Sequence, residues 1–384
     1  MNAKKTVTQM AHKADIQING DRPGDIQVNN EGFYSRVLRD GDLGLGESYM
    51  ERWWDSDDLG LSLDKVVRAK IKHAMPSNLR TTMFNLSYKI FNMQLRRHGR
   101  HLAKVHYNLS TKLYERMLGT SMAYTCGYWQ NAKDLDAAQY AKNDLICRKL
   151  QLNKDDHLLD IGCGWGGFAR QAAENYGCKV TGISIAEEQI KYAKKYCKGL
   201  PINLHLCDYR DISKVFGKQA FTKVSAIGMF EHVGARNYRT FFKTAYDALV
   251  DRGLFVLHTL GGHETNHEPL NLWMNKYIFP GAMLASIKQI GEAFDRLFVL
   301  EDAQNIGYHY GKTLQAWYER FNDYWNDKAM HDDRPTIDNS RDKFYRMWCF
   351  YLLSCKASLE NRQDSVWQFV LAKGGMPTGY LAPR

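Results

Sequence analysis

Four glycines crowd the end of an apolar run in Leu158-Leu-Asp-Ile-Gly-Cys-Gly-Trp-Gly-Gly167. Glycine carries no Cβ, so a ligand can come close to the backbone there. The next segment, 167–176, reads as a helix, whose N-terminal amides and positive dipole end would point at that ligand. Gly162, Gly164 and Gly167 satisfy the G-x-G-x-x-G pattern of dinucleotide loops. Two details turn the reading toward S-adenosylmethionine instead. Asp160 lies inside the strand end, two residues before the first glycine. The acid that would hold a nicotinamide cofactor's ribose, about 20 residues on, is missing, since segment 179–185 carries Ser184 near its end. A nicotinamide site and a purely structural turn are the remaining readings.

Further chemistry-bearing residues close later apolar runs. Ala226-Ile-Gly-Met-Phe-Glu-His-Val-Gly234 places Glu231 at a strand end, where a reacting atom would meet the cofactor. Its other reading is a first-turn acid answering a helix dipole; His232 is read as structural. Phe255-Val-Leu-His-Thr-Leu260 embeds His258 among apolar neighbours, a setting equally suited to a core histidine. Tyr124-Thr-Cys-Gly-Tyr-Trp129 is rich in aromatics, whose faces stabilise cations or simply pack.

These residues need a scaffold, and the chain alternates apolar strands with helical segments from Lys142 onward. Strands are expected at 157–162, 179–185, 202–208, 223–229 and 253–260, with helices at 135–150, 167–176, 186–197 and 238–250. That alternation implies a parallel, doubly wound α/β sheet of Rossmann-like type. Segments 296–301 and 365–372 would complete it as an antiparallel edge, and 312–330 and 340–362 read as aromatic-rich helices. Residues 1–75 look like a small, mostly helical α+β domain, with strand candidates at Ile16–Gly20 and Ile26–Val28. Helices are expected over 30–40, from Gly46 toward Trp54, and over 62–73. A linker over 76–104 would lead to a catalytic domain over 105–384.

The 384 residues carry 52 Lys and Arg against 42 Asp and Glu. Segment 65–104 holds ten of those cations and no acid, so it accounts for the whole excess of +10. Apolar residues such as Phe84, Ile90 and Phe91 are interleaved through it. A surface for anionic lipid headgroups, a solvated helix with one buried stripe, and a nucleic-acid surface are the three readings. No run is long and apolar enough to span a membrane, and Met1-Asn-Ala-Lys-Lys is followed by no signal-type apolar region. The eight cysteines show no C-x-x-C spacing, which suits free thiols in a reducing cytosol and argues against a structural zinc site.

Over nearly its whole length the chain resembles the bacterial cyclopropane-fatty-acyl-phospholipid synthase family. The resemblance rests on Gly44-Leu-Gly-Glu-Ser-Tyr-Met50, His106-Tyr-Asn-Leu109, Tyr124 to Trp129, Leu158 to Gly167, Gly228 to Gly234, Leu257-His-Thr259, Asn275 to Gly281 and Ala316 to Phe321. It implies methylene transfer from S-adenosylmethionine to the cis double bond of a phospholipid acyl chain, with bound bicarbonate as general base. Residues 1–90, absent from the related mycolic-acid enzymes, imply the phospholipid-acting branch. The resemblance further implies that Glu231, His258, Tyr310 and the backbone at Cys126 hold the bicarbonate, with Tyr308 as the alternative tyrosine if the register slips. For the cofactor it implies Tyr124 and Thr125 at the methionine part, with Asp160, Gly162, Gly164 and Gly166 in the loop. Ser184 and Gln189 would face the ribose, and Asp208 with Tyr209 the adenine. Cys355, in the apolar run Phe350 to Cys355, is carried as a further catalytic residue, although alkene methylation needs no thioether and packing accounts for it as well. A homodimer lying on the cytoplasmic face of an anionic phospholipid bilayer is the assembly the resemblance implies. A methyl-branched product and a non-enzymatic lipid-binding role are the competing functions.

Overall fold

The computed structural model describes residues 2–71, 82–86, 94, 111–265 and 267–384. Most of segment 65–104, with the lipid-surface reading placed on it, and the His106–Leu109 motif lie outside the described residues. The chain divides into two compact units: Met1–Phe91, His267–Gly281 and Leu314–Gln363 form a helical unit, and Asn92–Asn266, Ala282–Thr313 and Asp364–Arg384 form a sheet unit.

In the helical unit, helices Ala3–Lys13, Gly32–Asp40, Asp42–Met50 and Leu59–Arg68 accompany a two-stranded ribbon of β1 (Gln27–Val28) and β2 (Trp54–Asp55). The Gly44-to-Met50 motif becomes intelligible here. A Cβ on Gly46 would stand 2.4 Å from the Trp273 ring, and one on Gly44 would stand 2.4 Å from the Arg36 carbonyl oxygen. Helix packing this close tolerates only glycine.

Local expectations for this unit need three corrections. Ile16–Gly20 forms no strand; Ile18 makes a single bridge to Ile26. The helix expected from Gly46 toward Trp54 begins at Asp42 and stops at Met50, and Arg52, at φ 59°, turns the chain into β2. The Ala3–Lys13 helix lies outside the expected elements: Ala3, Val7, Met10 and Ala11 are at helical spacing, but polar residues dominate the segment and only Val7 is buried. An Asn2 cap accepting from the Lys5 amide starts it.

In the sheet unit, β3 (His157–Ile161), β4 (Lys179–Ser184), β5 (Ile202–Leu206), β6 (Phe221–Ile227), β7 (Leu249–Gly262), β8 (Val299–Asn305) and β9 (Asp364–Ala372) form one sheet in the order 5-4-3-6-7-9-8. Strands β3 to β7 run parallel, and β9 lies antiparallel between β7 and β8. This is the doubly wound α/β sheet with the antiparallel edge that the segment pattern implies. Strand alternation builds two cores. Leu159, Ile161, Val224, Phe255, Leu257 and Phe369 pack with Phe241 and Phe242 of the Tyr238–Ala248 helix on one face. Leu158, Val180, Leu254, Val256 and Val370 pack with Ile146 and Ala172 on the other, under the helices Leu135–Lys149 and Gly167–Tyr176. Each fully buried side chain of this kind contributes roughly 1.5–3 kcal/mol.

Candidate active site

The glycine loop leaves β3 with Gly162, Gly164 and Gly166 all at positive φ, 86°, 54° and 88°. Their surroundings differ. A Cβ on Gly162 would stand 2.8 Å from Met229, and one on Gly167 would stand 1.8 Å from the Ser121 carbonyl oxygen. A Cβ on Gly164 would meet nothing within 4 Å among the described residues, so this glycine leaves room instead of filling it. The helix then starts at Gly167 and presents its free amides to that space. Asp160 is buried and accepts a hydrogen bond from Ser225 Oγ at 2.9 Å, its partner in the β3–β6 register. Burial pushes its carboxyl up to about 7.

Of the other residues expected at the cofactor, Ser184 and Asp208 stand at or just past the ends of neighbouring strands. Ser184 closes β4; its hydroxyl donates to Gln189 Oε1 at 3.2 Å and accepts from the Ala186 amide. Asp208 follows β5 and receives Arg210 Nη2 at 2.6 Å. Tyr209 meets Phe241 edge-on at 5.4 Å. Tyr124 meets Tyr114 in the same way at 5.7 Å. Thr125 has its Oγ1 buried without a hydrogen-bond partner among the described residues. Ligands of open α/β sheets bind at such consecutive carboxyl ends.

Glu231 sits in the turn Phe230–His232 just past β6. Its Oε1 accepts the Leu260 amide at 2.7 Å, and its carbonyl accepts the Met283 amide. Oε2 is buried with no partner among the described residues. Burial raises this carboxyl above its ordinary range, against the opposing pull of the Leu260 N–H. His258 lies opposite Ile227 of β6 on one side and Gln368 of β9 on the other. Gln368 Nε2 is 3.2 Å from His258 Nδ1. Burial drives the imidazole well below its usual value, so the ring is neutral. With Nδ1 assigned as acceptor from Gln368, the ring proton rests on Nε2.

Tyr310 opens the helix Tyr310–Asn326 and is 8% exposed, whereas Tyr308 is 57% exposed. Only Tyr310 is buried. Cys126 is also buried, its Sγ directed to the carbonyls of Gly127 (3.3 Å) and Ile306 (3.8 Å). Burial raises the thiol and keeps it protonated. Cys355 lies half-buried on the helix Arg341–Glu360 of the helical unit, and His232 is exposed.

Three positioning residues carry little sequence signal. Thr313 Oγ1 accepts both the Gly127 amide at 3.0 Å and Trp129 Nε1 at 2.9 Å. Gln139 donates to the Thr125 carbonyl at 2.7 Å. Together they fix the Tyr124-to-Trp129 loop. Gln368 had the one visible cue, an amide inside the apolar run Val366 to Ala372.

Comparison with known proteins agrees with this architecture. Residues 94–369 match the family model described as mycolic acid cyclopropane synthetase. The chain is 41% identical over 375 residues to the cyclopropane-fatty-acyl-phospholipid synthase of Escherichia coli (strain K12), covering 97% of this chain and 94% of that protein. A probable fatty acid methyltransferase of Pseudomonas putida is 33% identical over 70% of this chain and 68% of its own length. Among solved structures, the cyclopropane synthase MmaA2 from Mycobacterium tuberculosis superposes with a TM-score of 0.63 at 27% identity, covering 71% of this chain and 98% of that one. The mycolic acid cyclopropane synthase CmaA1 complexed with SAH and CTAB gives the same values. A family match over most of the chain, on a methyltransferase sheet with its glycine loop intact, assigns the sequence: it belongs to the cyclopropane synthase family of S-adenosylmethionine-dependent methyltransferases.

Proposed function

We propose that this chain converts the cis double bond of an unsaturated acyl chain in a membrane phospholipid into a cyclopropane, using S-adenosylmethionine and bicarbonate. The observation that carries the reading is Glu231, a buried carboxyl with one oxygen bound to Leu260 N–H and the other without a partner among the described residues. A buried oxygen left without a partner is costly, and a small bound acid offers it one. Neutral His258 lies on β7 two residues before Leu260, whose amide Glu231 accepts, and its Nε2 proton would be available.

The residues present fit both groups. The space at Gly164 and the orphan Thr125 Oγ1 suit the methionine part of the cofactor, with Tyr124, Asp160, Gly162 and Gly166 around it. Ser184 and Gln189 would bind the ribose, and Asp208 and Tyr209 the adenine. S-Adenosylmethionine supplies an electrophilic methyl group, and bicarbonate supplies an oxyanion base. Glu231 would accept the bicarbonate O–H, while His258 Nε2–H, Tyr310 O–H and the backbone at Cys126 would donate to its oxygens. An alkene is a weak nucleophile, so these residues act mainly by orientation. Tyr124 and Trp129 offer aromatic faces to the positive charge that develops on the acyl chain. Cys355 has no part in this scheme; it packs on its own helix.

No helix among the described residues is long and apolar enough to cross a membrane. The substrate would therefore be reached from the surface, on the cytoplasmic face, with segment 65–104 attracted to anionic headgroups and the helical unit supporting a homodimer. Incubation with S-adenosylmethionine and unsaturated phospholipid vesicles should add the mass of one CH2 per olefin and yield the upfield proton signals of a cyclopropane. Added mass with the olefin retained, or a methyl branch in its place, sinks the assignment. Raised salt should weaken binding to anionic vesicles; salt-independent binding removes the electrostatic part.

A further inference from the structure

Two lysines of the Leu135–Lys149 helix are buried, and only one makes an ion pair among the described residues. Lys149 Nζ lies 3.2 Å from Asp302. Lys142, two turns earlier on the same face, is 1% exposed, and among the described residues its ammonium has no hydrogen bond or ion pair. An isolated buried ammonium is among the costliest groups a fold can carry.

Its position gives that charge an address. Ile146, one turn further along the helix, packs with Leu158, Val256 and Val370 on one face of the sheet. By strand alternation the same face carries Asp160, Ser225, His258 and Gln368, of which Asp160 and His258 lie toward the carboxyl ends. Lys142 lies over that polar end. Its charge is felt by Cys126 and Asp160, and His258 feels it in turn. Asp160 is already engaged by Ser225. One turn before Lys142, Gln139 holds the carbonyl of Thr125, whose own hydroxyl has no partner among the described residues. At this polar end a buried cation, a hydroxyl without a partner among the described residues and a neutral imidazole thus occur together, and the carboxyl that accompanies them, Asp160, is bonded to Ser225 and raised by burial to about 7.

We infer that Lys142 binds a carboxylate-type oxyanion over this polar end of the sheet, as its buried counter-cation. The inference rests on the proposed function, which brings two such anions to the site: bicarbonate and the carboxylate of the cofactor's methionine. A charge-assisted bond in this desolvated setting holds either one firmly.

The test uses full-length Lys142→Met and Lys142→Gln, with Lys149→Met as control. Thermal melts without ligand, calorimetric affinity for S-adenosylhomocysteine, and the bicarbonate concentration for half-maximal turnover in CO2-depleted buffer are measured. Lys142→Met should melt no lower than wild type, whereas Lys149→Met, which removes one of the two cations on Asp302 and leaves Arg384 at 2.7 Å, should melt lower with ligand binding intact. Both Lys142 variants should lose about tenfold in one affinity. Weaker S-adenosylhomocysteine binding names the cofactor's carboxylate; a raised bicarbonate requirement with that affinity intact names bicarbonate. A Lys142 variant with both affinities unchanged, whatever its melting temperature, overturns the inference. Wild-type turnover indifferent to bicarbonate would overturn the base assignment alone, leaving Lys142 to be judged on S-adenosylhomocysteine binding.

Discussion

Gln368 stands directly opposite His258 in the β7–β9 ladder, its amide nitrogen 3.2 Å from the imidazole Nδ1. The pairing joins the last parallel strand to its antiparallel neighbour, and with the amide nitrogen assigned to face Nδ1 it leaves Nε2 as the donor. Outer-shell partners of this kind typically matter by 10–100-fold. Gln368→Met should therefore lower turnover by about tenfold or more while S-adenosylhomocysteine affinity, measured calorimetrically, stays near wild type. Equal losses in both quantities would mean that Gln368 supports the fold instead of the ring.

Glu231→Gln separates the same two quantities more sharply. Replacing the carboxyl proposed to hold the base should reduce turnover by about 10²-fold, with little change in cofactor affinity. Stability should move the other way. The folded carboxyl is raised above its unfolded value by burial, so the folded state holds a proton that the unfolded state releases. Stability from that proton is full below the unfolded pKa and is lost as pH rises through the folded one. The variant, which never ionises, should melt above wild type at pH 8, by on the order of 1 kcal/mol. The gap should close toward pH 5. A variant that melts lower at pH 8 contradicts this account.

The sheet was legible because its signals are local. Apolar runs of strand length, the glycines after Ile161 and the helical segments between them each declare themselves within a short window. The positioning residues do not. Gln368 and His258 are separated by 110 positions, and Gly127 and Thr313 by 186. An amide or hydroxyl that acts through a partner so distant looks like any other polar residue. Lys142 was hidden differently: its helix also carries Arg148 and Lys149, and only the structure shows that Lys142 is buried with no ion pair among the described residues. In the helical unit the weak points were short strands. Ile16–Gly20 alternates like a strand, but with a single bridging partner it has no ladder to join.

The same unit contains a carboxylate whose removal should be felt as stability. Glu47 receives Lys276 Nζ at 2.6 Å, Arg36 Nη2 at 2.7 Å and the Tyr277 hydroxyl at 2.8 Å. Burial raises its pKa, but these donors outweigh it and hold the carboxyl at about 2. The stability this provides is present above the unfolded value, near 4.5, and is lost as pH falls through the folded one. Glu47→Gln should cost roughly 3 kcal/mol at pH 7, read from urea denaturation. Near pH 2 the two proteins should converge. A constant difference across that range would show that the cost is steric.

Gly164 and Gly167 predict opposite failures from the same added methyl group. A Cβ at Gly164 meets nothing within 4 Å among the described residues, so Gly164→Ala pays only for its left-handed backbone at φ 54°, about 1–2 kcal/mol. The protein should fold, yet the methyl occupies the space left for the cofactor, and S-adenosylhomocysteine affinity should fall by more than tenfold. At Gly167 the Cβ would stand 1.8 Å from the Ser121 carbonyl oxygen, a backbone atom that cannot step aside. Gly167→Ala should lower the melting temperature first and lose binding as a consequence. Thermal melts and calorimetry on the pair distinguish the two. If Gly164→Ala binds the ligand as tightly as wild type, the open space at that glycine is not the cofactor's.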